Sequence, residues 1–119
     1  MQVIDENTMK KLLDSCKKFL GITWDDYGTD SMLKSYIRSS VSRLSAIYGF
    51  DIVLDTDSNE AGQADFLAHE LLINRVFYMR EKALDDFETN FRGELLTLTN
   101  LGKVRRYEEE AGDSSNVEQ

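Results

Sequence analysis

The chain has no proline, one cysteine and one histidine among its 119 residues. Without proline, no φ angle is locked and no backbone amide donor is lost, so no residue of that kind obliges a helix to stop. Plentiful Leu, Ala, Lys, Glu and Arg act in the same direction and predict an all-α fold. A lone cysteine excludes an internal disulfide, and one cysteine with one histidine cannot assemble a Cys/His metal site within a single chain. Long apolar runs are missing too. None approaches the length that crosses a bilayer, and the opening MQVIDENTMKK lacks the apolar block of a signal peptide, so the expectation is a protein made inside the cell.

What is present suits one folded domain. Hydrophobic residues at 41% and charged residues at 30% place the chain in the ordinary globular range, and its length allows one modest core. The net charge of -8 is uneven: residues 1–50 carry seven Lys/Arg against six Asp/Glu, and residues 51–119 carry seven against sixteen. A chain this acidic has no general attraction for phosphate backbones, which argues against sequence-reading or strand-binding of nucleic acid.

Hydrophobic periodicity places about four helices in a small bundle. The first spans about Thr8 to Leu20, with Leu12, Leu13, Cys16, Phe19 and Leu20 on one face and Gly21 in the left-handed closing position. Cys16 in that register reads as a buried structural thiol. The second spans about Asp30 to Tyr48, capped by Thr29 or Asp30, with Leu33, Ile37, Val41, Leu44 and Tyr48 in step before Gly49. The third spans about Asn59 to Arg80, with Asp57 and Glu60 spaced for reciprocal capping. Its apolar stripe is too wide for one neighbour, which makes it the central helix or one whose second face meets another subunit. The fourth spans about Leu84 to Leu101, after a junction at Glu81 to Asp85 that carries neither glycine nor proline. Residues 1–107 thus form the helical domain, and residues 108–119 are expected to be a disordered polar tail.

The only tryptophan falls in the connector FLGITWDDYGTD. Folded back with Ile22, the Trp24 indole would fix the angle between the first two helices from the rim of the core; turned outward, it would anchor a partner. Asp25, Asp26 and Asp30 are expected to face water and the positive N-terminus of the second helix.

Clusters that could carry chemistry are sparse. Asp55, Asp57 and Asn59 match the opening of a calcium-binding loop, but Glu60 and Phe66 replace the required glycine and glutamate, so a solvated loop accounts for them. Asp65, His69 and Glu70 lack the spacing of a zinc or carboxylate centre, and Asp65 with His69 reads as a surface helix pair. Ser39, Ser40, Ser42 and Ser45 line a helix with no phosphate-cradling glycine loop. Arg75, Arg80, Lys82, Arg92, Lys103, Arg105 and Arg106 read as surface cations paired with nearby glutamates, or as contacts to acidic surfaces of an adjacent copy. No catalytic centre, metal site or cofactor is expected.

The order of segments is itself informative. LLDSCKKFLGIT, the connector WDDYGTD, the helix SMLKSYIRSSVSRLSAIYG and the stretch LAHELLINRVFYMREKALDDFETNFRGELLTL together resemble the small helical head-tail connector (adaptor) proteins of tailed bacteriophages. The resemblance covers roughly residues 10–101 and is most specific in LLINRVFYMR and FETNFRGELLTL; the chain departs from it where Glu81 follows Arg80 and in the tail after Leu101. It implies a non-enzymatic ring of about a dozen copies under the portal, in the virion neck after assembly in the host cytoplasm; such a ring closes by repeating one head-to-tail contact. The ring would extend the DNA channel without binding sequence, and would dock the next connector or the tail. Trp24, Tyr27, Arg80, Arg92, Arg105 and Arg106 are the interface candidates on exposure and residue type. Two other classes stay open: an acidic helical regulator that covers a basic surface of a nucleic-acid enzyme, and an enzyme whose site forms between subunits around His69, Asp65 and Glu70.

Overall fold

The computed structural model describes residues 2–118, with side chains described through Gly112. Five helices follow in order: α1 (Glu6–Leu20), α2 (Tyr27–Tyr48), α3 (Gln63–Arg80), α4 (Leu84–Asn90) and α5 (Arg92–Glu118). No strand occurs among the described residues. Helix α3 packs against all four others, while α2 packs against α1, α3 and α5, so α3 is central.

Local chemistry sets the helix ends. Asp5 caps α1 by accepting from the Thr8 amide at 2.7 Å, which starts the helix two residues before the expected Thr8. Asp26, rather than Thr29 or Asp30, caps α2, its carboxylate accepting from the Thr29 amide and hydroxyl at 2.9 Å each. Both helices close at the expected glycines, with φ of 74° at Gly21 and 86° at Gly49.

The core also follows the helical period. Leu33, Ile37, Val41, Leu44 and Tyr48 are all buried along α2, facing Leu71, Leu72 and Val76 of α3 and Leu98 of α5 within one cluster. Cys16 is fully enclosed, and burial pushes its thiol up to about 12. Phe19, expected on the same buried face, is half-exposed instead.

The start of α3 differs from expectation. Asp57 and Glu60 do not form a capping pair; residues 55–62 make turns and α3 begins at Gln63. Asp65, three residues into the helix, accepts from the Gly62 amide and from the Val53 amide, each at 2.9 Å. One carboxylate therefore fixes both the helix start and the preceding segment. Gln2 clamps that segment from its other end, its amide group donating to and accepting from the backbone of Ile52.

The predicted fourth helix is two helices. Helix α3 ends with Lys82 at φ 56°, where the Lys82 amide bonds to Met79 and the Ala83 amide to Tyr78, a left-handed closure built without glycine. Helix α4 then stops at Phe91, whose ring stacks on Phe87 at 5.0 Å. The polar segment from Glu108 stands apart from the bundle core, in keeping with the expected tail, and the α5 backbone helix runs on into it. It shares the expected lack of packing, since the described side chains from Lys103 to Gly112 are all exposed.

Candidate functional site

Helix α3 turns Ala68, Leu71, Leu72 and Val76 inward and leaves Phe66 and Phe77 outward. Those two phenylalanines are three helical turns apart and lie on one face. Phe77 meets Phe19 of α1 edge-on at 6.1 Å and its neighbour Tyr78 at 5.5 Å. Tyr78 in turn touches Phe87 and Phe91 at 5.8 and 6.0 Å. A continuous series of rings thus runs from a buried end at Phe87 to an open end at Phe19 and Phe77. Edge-on and offset ring pairs are favourable geometries, so the rings at the open end brace one another.

Trp24 is not folded onto the core. It is 52% exposed, because Ile22 occupies the buried position beside α1 and the chain between them turns the indole outward. Lys17 sits beneath this connector with a nearly covered side chain and donates to the Trp24 carbonyl at 3.3 Å. Its ammonium lies 2.7 Å from Asp30 and 2.9 Å from Asp25, and those two carboxylates, Asp30 first, raise it above the usual lysine range. Asp26, by contrast, is committed to capping. Tyr27, the first residue of α2, is exposed as well, so Trp24 and Tyr27 stand together on a braced corner.

The four arginine candidates are not gathered with them. Arg80 is half-buried at the end of α3, and Arg92 is exposed at the start of α5. Arg105 lies over the Phe50 ring at 4.1 Å, donates to the Tyr48 hydroxyl at 3.2 Å and pairs with Glu109 at 3.3 Å. Arg106 stands next to Gly49. Arg105 thus fastens α5 to the end of α2, with Arg106 alongside.

Arg75 is the residue that the sequence placed wrongly. It is buried rather than a surface cation, and its Nη1 donates to Ser40 at 3.0 Å and Ser39 at 3.4 Å. A polar row on α2 facing a mid-helix arginine on α3 was the available signal, but the pairing is non-local. Among the described residues Arg75 has no ion pair, and burial, then Arg43, lowers its affinity for the proton.

The possible chemical clusters are otherwise engaged. Asp65 is buried and bonded to backbone, so it is not a surface partner of His69, and burial pushes the His69 imidazole down. Lys11 sits 3.2 Å from Asp55 and 3.6 Å from Asp57. Among the described residues no group of three or more His, Cys, Asp or Glu is arranged to hold a metal, and no helix is long and apolar enough to cross a membrane. Compared with known proteins, the chain matches no family model, no curated protein and no solved structure. What the geometry offers is a rigid helical body with outward aromatic side chains.

Proposed function

We propose that the chain is a non-enzymatic structural connector that assembles into a ring at the head-tail junction of a tailed phage. The ring sits beneath the portal, extends the DNA channel and presents a docking surface to the tail. The observation that carries this reading is the surplus apolar face of α3: Phe66 and Phe77 point outward from a helix already packed against four others. Burying such a face on a neighbouring copy removes apolar surface from water, and a head-to-tail contact that closes by rotation makes a ring. The resemblance of residues 10–101 to small phage connectors supplies the setting. A net charge of -8 suits a conduit through which DNA slides without adhering.

Native mass measurement across protein concentration and salt, with electron microscopy of large species, tests the reading. Closed rings are expected, alone or on a portal ring used as template. A chain that joins neither copies of itself nor a portal, yet holds one basic foreign protein in a salt-sensitive complex, replaces the connector with a regulator.

A further inference from the structure

The serine-rich side of α2 carries more than solvated hydroxyls. Ser39, Ser42 and Ala46 form one stripe along the helix, and Arg38 and Arg43 flank it on opposite sides. That stripe is one wall of an open cavity of about 820 Å³, closed on other sides by Arg75 and by Val3 and Ile4 of the N-terminal segment. Arg75 is 6% exposed, and its Nε has no hydrogen-bond partner. A guanidinium keeps its charge in a protein, and this one has hydroxyl partners and the more distant charge of Glu88 but no carboxylate in direct contact, so an anion brought to the cavity would be favoured.

The far half of α5 has the complementary pattern. Val104, Tyr107 and Ala111 recur at helical spacing, with Glu108 and Glu110 flanking them on opposite sides. Val104 is 53% and Tyr107 73% exposed, and Glu109, on the opposite face, pairs with Arg105. Beyond Arg106, the last residue seated against the end of α2, the helix runs for roughly 18 Å. A stretch of that length with its apolar stripe exposed is marginal in water by itself, and a covering surface would stabilise it. Because the helix is continuous to Glu118, it cannot fold back into its own cavity without breaking.

We propose that the projecting half of α5 from one copy lies in the Arg38–Arg43 groove of a second copy. Small residues at Ser39, Ser42 and Ala46 let the helices approach closely, the apolar stripe covers Val3 and Ile4, and the flanking glutamates meet the flanking arginines. Carboxylates then come within reach of Arg75. Arg43 already touches Glu88, but at 3.7 Å and with both side chains about half-exposed, so the exchange is open to it. The contact joins different surfaces on the two copies, and its repetition is directional. It rests on the reading that the chain self-assembles, and specifies how.

Sedimentation of the full chain from about 10 μM to about 1 mM tests it, using Arg38→Glu with Arg43→Glu, Glu108→Lys with Glu110→Lys, and all four together. All four positions are exposed, and circular dichroism checks that each variant stays folded. Each pair of reversals is expected to weaken association by at least about tenfold, and the fourfold variant to recover to within about threefold of the natural chain. Failure of the fourfold variant to recover overturns the contact. Rings that persist unchanged in both reversals also overturn it, while leaving the connector reading intact; open filaments sensitive to both reversals support the contact and remove the closed ring. Chains that stay monomeric at about 1 mM yet gain thermal stability from inorganic phosphate assign the cavity to a small anion and overturn the docking.

Discussion

Gly102 of α5 rests on the carbonyl group of Tyr48 at the end of α2. A Cβ at position 102 would stand 2.9 Å from the Tyr48 carbonyl carbon and 3.2 Å from its ring, and closer still to the carbonyl oxygen. Since the obstacle is backbone, no rotamer change relieves it. Gly102→Ala should therefore destabilise the fold by about 1–3 kcal/mol, against the gain of roughly 1 kcal/mol that alanine brings to an ordinary helix interior. Urea unfolding measures the sign, and a stabilised variant would disprove the close crossing.

Lys82 provides the opposite case. Its left-handed φ closes α3 in a position where glycine carries no Cβ penalty. Lys82→Gly should raise stability by about 0.5–1 kcal/mol, since relief of backbone strain exceeds the added freedom of the unfolded chain. A lower unfolding midpoint would place the strain elsewhere.

Alkaline pH should weaken the fold through Cys16 and Lys17 together. Cys16 keeps its proton up to about 12 when folded, whereas an unfolded cysteine releases it near 8.5, so the unfolded chain binds fewer protons between those values. Lys17, raised by Asp30 and Asp25, contributes fully below the ordinary lysine range and loses that contribution as pH rises through its folded value. Stability should fall above about pH 9, the thiol accounting for at most roughly 1.4 kcal/mol per pH unit. Denaturation midpoints at pH 7, 9 and 10.5 check this, and Cys16→Ala should flatten the first part of the decline.

Phe66 and Trp24 should matter to assembly far more than to folding. Both are about half-exposed, so Phe66→Ser and Trp24→Ser should change stability by less than about 1 kcal/mol while reducing any self-association or portal binding. Thermal melts and light scattering on the same samples separate the two effects. Loss of folding without loss of association would remove both from the interface.

Much of the bundle is legible where one local signal decides. The α2 row from Leu33 to Tyr48 repeats with the helical period, and Gly21 and Gly49 end their helices for a reason visible at one position. Distant partners were not legible. The capping spacing of Asp57 and Glu60 loses to Asp65 because Asp65 satisfies the Val53 amide as well, a bond across twelve residues of chain. Trp24 is turned out because Ile22 takes the buried place, and composition cannot say which of two nearby apolar residues wins. Arg75 was misplaced for the same reason: its partners are hydroxyls on another helix. Among the interface candidates, Trp24 and Tyr27 occupy one exposed corner, whereas Arg105 holds α5 to α2 and Arg106 lies beside Gly49.

The projecting end of α5 also governs how the molecule moves through solvent. Its extents are 58 × 32 × 21 Å and its radius of gyration is 16.1 Å, against about 13.5 Å for a rounded chain of this length. Such a shape carries extra hydrodynamic drag. A single copy should leave a gel-filtration column early, in the range of a rounded dimer, and diffuse more slowly than its 13.7 kDa implies. Docking that end into a neighbour folds the drag away, so the first association step should raise the mass more steeply than the Stokes radius.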